Sequence, residues 1–124
     1  KDIKWIGVWG NVDGDKVRAV QMTKDCANFD IVPETFREVE TEEGKVFLTH
    51  FPFIADIASR SGDFLAVFHG HNHTQKVEKL ENGTLLANPG EITGSSTGQP
   101  SFGIWDSEKN EIEIINLTDF KIPK

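Results

Sequence analysis

Cysteine is nearly absent. Cys26 is alone in 124 residues, so no internal disulfide can form, which fits a reducing compartment and leads us to expect a cytoplasmic protein. Basic residues are also scarce, 13 against 20 acidic ones, for a formal net charge of -7. A nucleic-acid or anionic-membrane surface needs clustered Lys and Arg, so neither is expected here. A small phosphate ester stays open, because a bound metal can neutralise its charge. No apolar run approaches the roughly 20 residues that span a bilayer, and nothing at Lys1 reads as a signal peptide. Histidine is rare too, with four in the chain.

What is present is a globular composition, 37% hydrophobic and 27% charged, over a length that suits one domain, residues 1–124. Ile3 to Trp9 is rich in β-branched and aromatic residues and reads as a buried strand. The turn-rich Gly10-Asn11-Val12-Asp13-Gly14-Asp15 follows, then a poorly patterned helix over Asp15 to Cys26. Thr35 to Glu40 alternates as a half-buried strand does, and Glu42-Glu43-Gly44 turns the chain into an apolar, internal strand, Lys45 to Thr49. Pro52 opens a short helix closed by Ser61-Gly62, and Leu65 to Phe68 is the next buried strand. Asn82-Gly83 predicts a hairpin between Gln75–Leu80 and Thr84–Ala87. A last hairpin is expected from Ser101–Trp105 and Glu111–Ile115, after the one that Glu42-Glu43-Gly44 turns. The sequons at Asn82 and Asn116 read as a turn and a strand end. The three tryptophans and the phenylalanines are expected in the core, and the acidic run Glu38 to Glu43 on a solvated hairpin.

All the imidazoles fall at the ends of two of these strands. His50 ends the run Val46-Phe47-Leu48-Thr49, and His69, His71 and His73 follow Leu65 to Phe68 at two-residue spacing. Asn11 follows the first strand in the same way. In α/β sheets, ligand sites gather outside the carboxyl ends of strands, and neutral imidazole suits divalent transition metals. Gly10 and Gly70 each precede a ligand candidate, where a sharp backbone turn helps. In an irregular loop, side chains at i and i+2 can face two neighbouring ions, which hints at a two-metal site of the kind that cleaves phosphoesters. His69 reads as a strand-end packing residue, Asn72 as loop structure and Asn88-Pro89-Gly90 as a turn beside the site. Asp13 is either a support for a ligand or a plain loop residue. Its Asn-x-Asp-Gly-Asp setting is not an EF-hand, because the glycine is misplaced and the distal glutamate is missing. Cys26, with only Lys24 as a basic neighbour, reads as inert.

Taken together, Gly10-Asn11-x-Asp13, Leu48-x-His50, Gly70-His71-Asn72-His73 and Asn88-Pro89-Gly90 resemble the later motifs of the calcineurin-like metallophosphoesterases. The resemblance runs from Ile3 to about Leu117 and is strongest to the small single-domain phosphodiesterase branch, which includes the retromer subunit of the same fold. It implies an αββα sandwich, here its C-terminal portion, β-rich with hairpins. It also implies two divalent ions (Mn, Ni, Zn or Fe), with Asn11, His50 and His71 on one and His73 on the other, and water attacking phosphorus between them. The substrate class would be a small phosphodiester.

Two departures qualify that expectation. The Asp-x-His and Gly-Asp-x-x-Asp motifs that open such domains occur nowhere in this sequence. We therefore expect an N-terminally incomplete domain, inactive alone, with a complementing N-terminal fragment or an oligomer partner as the source of the missing ligands. The strand Ile3 to Trp9 would then show an open apolar edge. Val12, in addition, carries no proton for a leaving group, where general-acid help is worth roughly 100- to 10,000-fold. The competing expectation is a scaffold of this fold, catalytically weak or inactive, kept for protein contact.

Overall fold

In the computed structural model, which describes residues 3–11, 13–31 and 34–119, strand alternation settles the layering. The main sheet has five strands in the order β3 (Phe36–Glu40), β4 (Lys45–Thr49), β5 (Ala66–Phe68), β7 (Leu85–Asn88), β6 (Lys76–Lys79). The β4–β5 and β5–β7 pairs are parallel, and the outer pairs are antiparallel hairpins. Successive side chains point to opposite faces. Phe47, Val67 and Leu86 therefore face one side and meet Ala55 and Ala58 of helix α2 (Pro52–Arg60). Val46, Ala66 and Leu85 face the other side, where Leu48, Phe68, Trp105 and Ile112 join them. Buried on both faces, these strands read as apolar runs in the sequence for that reason.

Proline at the first helical position starts α2 with its φ already set and no N–H to lose. Opposite α2 lies the hairpin of β8 (Ser101–Asp106) and β9 (Glu111–Asn116). Asn110, buried at the tip of this hairpin with φ +49°, locks it down. Its side chain donates to the Leu65 carbonyl (2.8 Å) and accepts from Trp105 Nε1 (3.0 Å). The Asn-Gly turn is tied as well, Asn82 Nδ2 donating to Ser59 O of α2 at 2.8 Å. A helix packed on one sheet and a second sheet packed on its other face form the layered α/β architecture expected.

The N-terminal part departs from expectation. β1 is only Trp5–Gly7, and it pairs in parallel with a strand not foreseen, β2 (Phe29–Ile31), in a separate two-stranded sheet. Helix α1 (Lys16–Thr23), capped by Asp15 accepting from Arg18 N, connects them and has no buried residue. Ile3 is 70% exposed and Trp5 56%, so the buried strand and the core role of Trp5 are corrected: Trp5 stacks on Phe29 at the surface. Phe29, Phe36 and Phe53 are likewise exposed rather than in the core, whereas Trp9 is buried. This lobe is tied to the main sheet by a two-pronged ion pair, Arg37 of β3 to Asp30 of β2, at 2.8 and 2.7 Å. Among the described residues no helix is long and apolar enough to cross a membrane.

Candidate metal centre

The parallel strands β4 and β5 end side by side, so the loops that follow them leave in the same direction. His50 is the first residue after β4, and Gly70 N donates to its carbonyl at 3.2 Å, which couples the two loops. The histidine loop is then folded by asparagine. Asn88, fully buried at the end of β7, donates through Nδ2 to Asn72 Oδ1 (2.7 Å) and to Gly70 O (3.4 Å). Asn72 accepts in turn from Thr74 N at 3.3 Å. Gly90, at φ +93°, leaves no room for a side chain: a Cβ there would run into Ser101 Oγ. Asn72 and Asn88-Pro89-Gly90 thus shape the loop.

His71 and His73 both adopt left-handed backbone, φ +77° and +61°. That region is uncommon for residues with a side chain and costs on the order of 1–3 kcal/mol each, a strain that collects at functional sites. The result is a convergence of three atoms. His50 Nε2 lies 2.8 Å from Asn11 Oδ1 and 3.1 Å from His71 Nδ1, and the latter two are 3.3 Å apart. An amide oxygen only accepts, so any hydrogen bond it makes within the trio takes its proton from an imidazole nitrogen. The same spacing suits a cation. Ligand bonds of about 2.0–2.2 Å at tetrahedral to octahedral angles put donor atoms roughly 2.8–3.6 Å apart. The donor set therefore fits a divalent ion. One of the three is an asparagine; among the described residues no group of three or more His, Cys, Asp or Glu converges in this way.

Burial, and then the neighbouring His71, hold His50 below the usual imidazole range, which favours the neutral ring that a metal ligand requires. Asp13 opposes this with its charge and accepts from Gly10 N. A Cβ on Gly10 would stand 3.2 Å from both Asp13 Oδ2 and the His50 ring, so the close approach of the Asn11 loop depends on glycine. Asp13 thus braces the turn that carries Asn11. Val12 lies outside the described residues. His69 is buried, and burial lowers its pKa; its Nδ1 contacts Gly70 O at 3.1 Å, apart from the trio.

His73 pairs instead with Glu91, its Nδ1 3.4 Å from Glu91 Oε2. Reading the sequence for ligands missed Glu91. This buried carboxylate accepts from Ser96 N (2.9 Å), Thr97 N (3.2 Å) and Ser95 Oγ (3.2 Å). Those bonds, the Ser96 amide first, hold it below the usual carboxylate range. A signal existed: an acid followed by Thr93-Gly94-Ser95-Ser96-Thr97-Gly98 offers hydroxyls and unhindered amides within reach of its own side chain.

Comparison with known proteins bears on the family and the fold. The profile of the calcineurin-like phosphoesterase superfamily domain matches residues 1–110. The phosphodiesterase MJ0936 of Methanocaldococcus jannaschii is 35% identical over 114 residues, 90% of this chain and 68% of that protein. Among solved structures, an archaeal phosphodiesterase superposes with a TM-score of 0.79 at 33% identity, over 90% of this chain and 68% of that one. Vps29 of Entamoeba histolytica in complex with zinc shares the fold, with a TM-score of 0.59 at 19% identity over 90% and 74%.

Proposed function

Because the chain belongs to the calcineurin-like phosphoesterase superfamily, we propose that it carries part of the metal centre of a phosphodiesterase. The observation that supports this most is the triangle of Asn11 Oδ1, His50 Nε2 and His71 Nδ1 at 2.8, 3.1 and 3.3 Å. In this reading these three hold one divalent ion (Mn, Ni, Zn or Fe), and His73, steadied beside Glu91, faces a second. When bound, such ions neutralise phosphoryl oxygens and supply an activated water.

The chain's own residues have definite parts in this scheme. His50 stays neutral through burial and presents a lone pair. His71 reaches its position through strained backbone that Asn88 and Asn72 hold in place. Asp13 fixes the turn that brings Asn11 across from the N-terminal lobe. Val12 has no proton to give a leaving group, so esters with good leaving groups are favoured. The opening carboxylate motifs of the family are not in the sequence. The remaining ligands would come from a segment outside these residues, a complementing piece or a partner chain.

Calorimetric titration of the purified chain with Zn²⁺ or Mn²⁺ tests the reading. Saturable, stoichiometric uptake is expected, falling at least about 100-fold in affinity in His71→Ala, the loss of one ligand from three. Uptake that is unchanged when His50 and His71 are both replaced by alanine sinks it. Hydrolysis of an aryl phosphodiester is expected only once the missing carboxylates are supplied, and EDTA should abolish it.

A further inference from the structure

Residues 93–99 are small and polar, a composition that ordinarily leaves a loop mobile. Here the loop is wound around one carboxylate. Glu91 is 7% exposed and takes the Ser96 and Thr97 amides and the Ser95 hydroxyl, while Gly98 N closes back on Gly94 O at 2.8 Å. The loop faces the strand that leaves the histidines, and between them lies a cavity of about 190 Å³ lined by His73, Thr74, Gln75, Thr97 and Gln99. Every lining side chain can donate or accept a hydrogen bond. His73 is the one ring among them, and none is Lys or Arg.

We propose that this groove is the subsite for the organic group of the phosphodiester next to the phosphoryl centre, and that it takes a neutral polyhydroxyl unit, a pentose or a glycerol. The inference rests on the phosphodiesterase reading and deepens it. His73 is both a member of the candidate centre and a wall of the groove, so a group esterified to the bound phosphate enters it directly. A nucleobase is disfavoured because the single ring in the wall, His73, belongs to the candidate centre and no second ring stands with it to make a stacking platform. A second phosphate is disfavoured because no cation lines it. The volume is below the roughly 300–1,000 Å³ that accommodates a drug-sized ligand, which restricts the occupant to something of sugar size. The Gln75 amide is already oriented, its Nε2 donating to Asn116 Oδ1 at 2.7 Å, which reserves its oxygen for a hydroxyl. Glu91 sets the wall in place beforehand, so binding does not have to order it.

The test is a titration of the zinc-loaded chain with methyl phosphate and with ribose 5-phosphate, followed residue by residue by NMR. Ribose 5-phosphate should bind about tenfold more tightly, the worth of one or two added hydrogen bonds, and should shift the amides of Thr74, Gln75, Thr97 and Gln99. Thr97→Val combined with Gln99→Ala, both on exposed side chains, should remove that advantage and leave methyl phosphate binding as it was. Equal affinities in the parent chain, or an advantage that survives the double substitution, overturn the subsite and leave the phosphodiesterase reading standing. No response to methyl phosphate around His50 and His71 overturns that reading and this inference with it.

Discussion

His50 and His71 leave β4 and β5, whose inner residues are sealed: Val67 and Ala66 have no exposed surface, and Val46 and Phe47 are 4% and 7% exposed. Asn11 leaves β1, where Trp5 is 56% exposed and the connecting helix carries Val17 and Met22 at 68% and 71%. The candidate centre thus joins two ligands on a rigid platform to a third on a lightly packed lobe. Contact density and buried apolar area set how readily a region opens. The lobe is therefore the part whose opening costs least, and the ion pair between Arg37 and Asp30 is one tie to the main sheet beside the bonds of Asn11 itself.

The greatest contrast should come from the platform itself. Leu86 lies at the centre of the α2 face, against Phe47 and Val67. Leu86→Ala removes its methyl groups from a layer that cannot collapse around the gap and should cost about 3 kcal/mol in urea unfolding. The loss should be global, with every amide of the main sheet exchanging faster. A loss confined to the lobe would reverse the comparison.

Next comes the tie. Arg37 hydrogen-bonded to Asp30 holds that carboxylate below its ordinary value, and the pair is 19% and 33% exposed. Asp30→Asn should cost about 1 kcal/mol, the upper end for a partly screened pair. Its signature is local: faster exchange in β1 and β2 with the main sheet unchanged, and weaker zinc binding because Asn11 is less often in place. The pH dependence follows the same sign. A carboxylate whose folded pKa is depressed contributes its stability in full above the unfolded value near 4. That contribution disappears as pH falls through the lower folded value. Urea midpoints between pH 6 and pH 2.5 should drop over that window, and less in Asp30→Asn.

This difference between the regions also decides what could be read in the sequence. β3, β4, α2, β5 and both hairpins were legible because each strand or helix has its period written in residues that pack against a neighbour in the same chain. The histidine cluster was legible because strand ends place their following residues together. β2 was not, since Phe29-Asp30-Ile31 is interrupted by a charge and at most half-buried, unlike the sealed apolar run of β5. The exposure of Trp5 was not either, because an apolar strand announces that it can be buried without showing what would cover it. Asn11, His50 and His71 were named from spacing and resemblance, but their meeting atom to atom depends on left-handed backbone at His71 and on Asp13 bracing Gly10, neither of which has a sequence period. Glu91 was overlooked because a lone acid in a loop looks solvated until its own following amides fold back onto it.

The smallest effect should come from the outer face of the lobe, and it tests whether that face is truly uncovered. Met22 and Val17 lie on α1, a helix with no buried residue. Replacing a side chain that stays in water in both folded and unfolded states changes little, so Met22→Ser should shift stability by no more than about 0.5 kcal/mol. The apolar side chains Ile3, Trp5, Val17 and Met22 nevertheless crowd onto one small lobe, and apolar surface of that kind gains about 25 cal/mol per Å² when covered. If Met22→Ser instead cost as much as Leu86→Ala, the lobe would have to be buried in solution by a segment or partner lying against it. The same partner would then be holding Asn11 in the centre, and the comparison between platform and lobe would become one between a core inside this chain and a core shared with another.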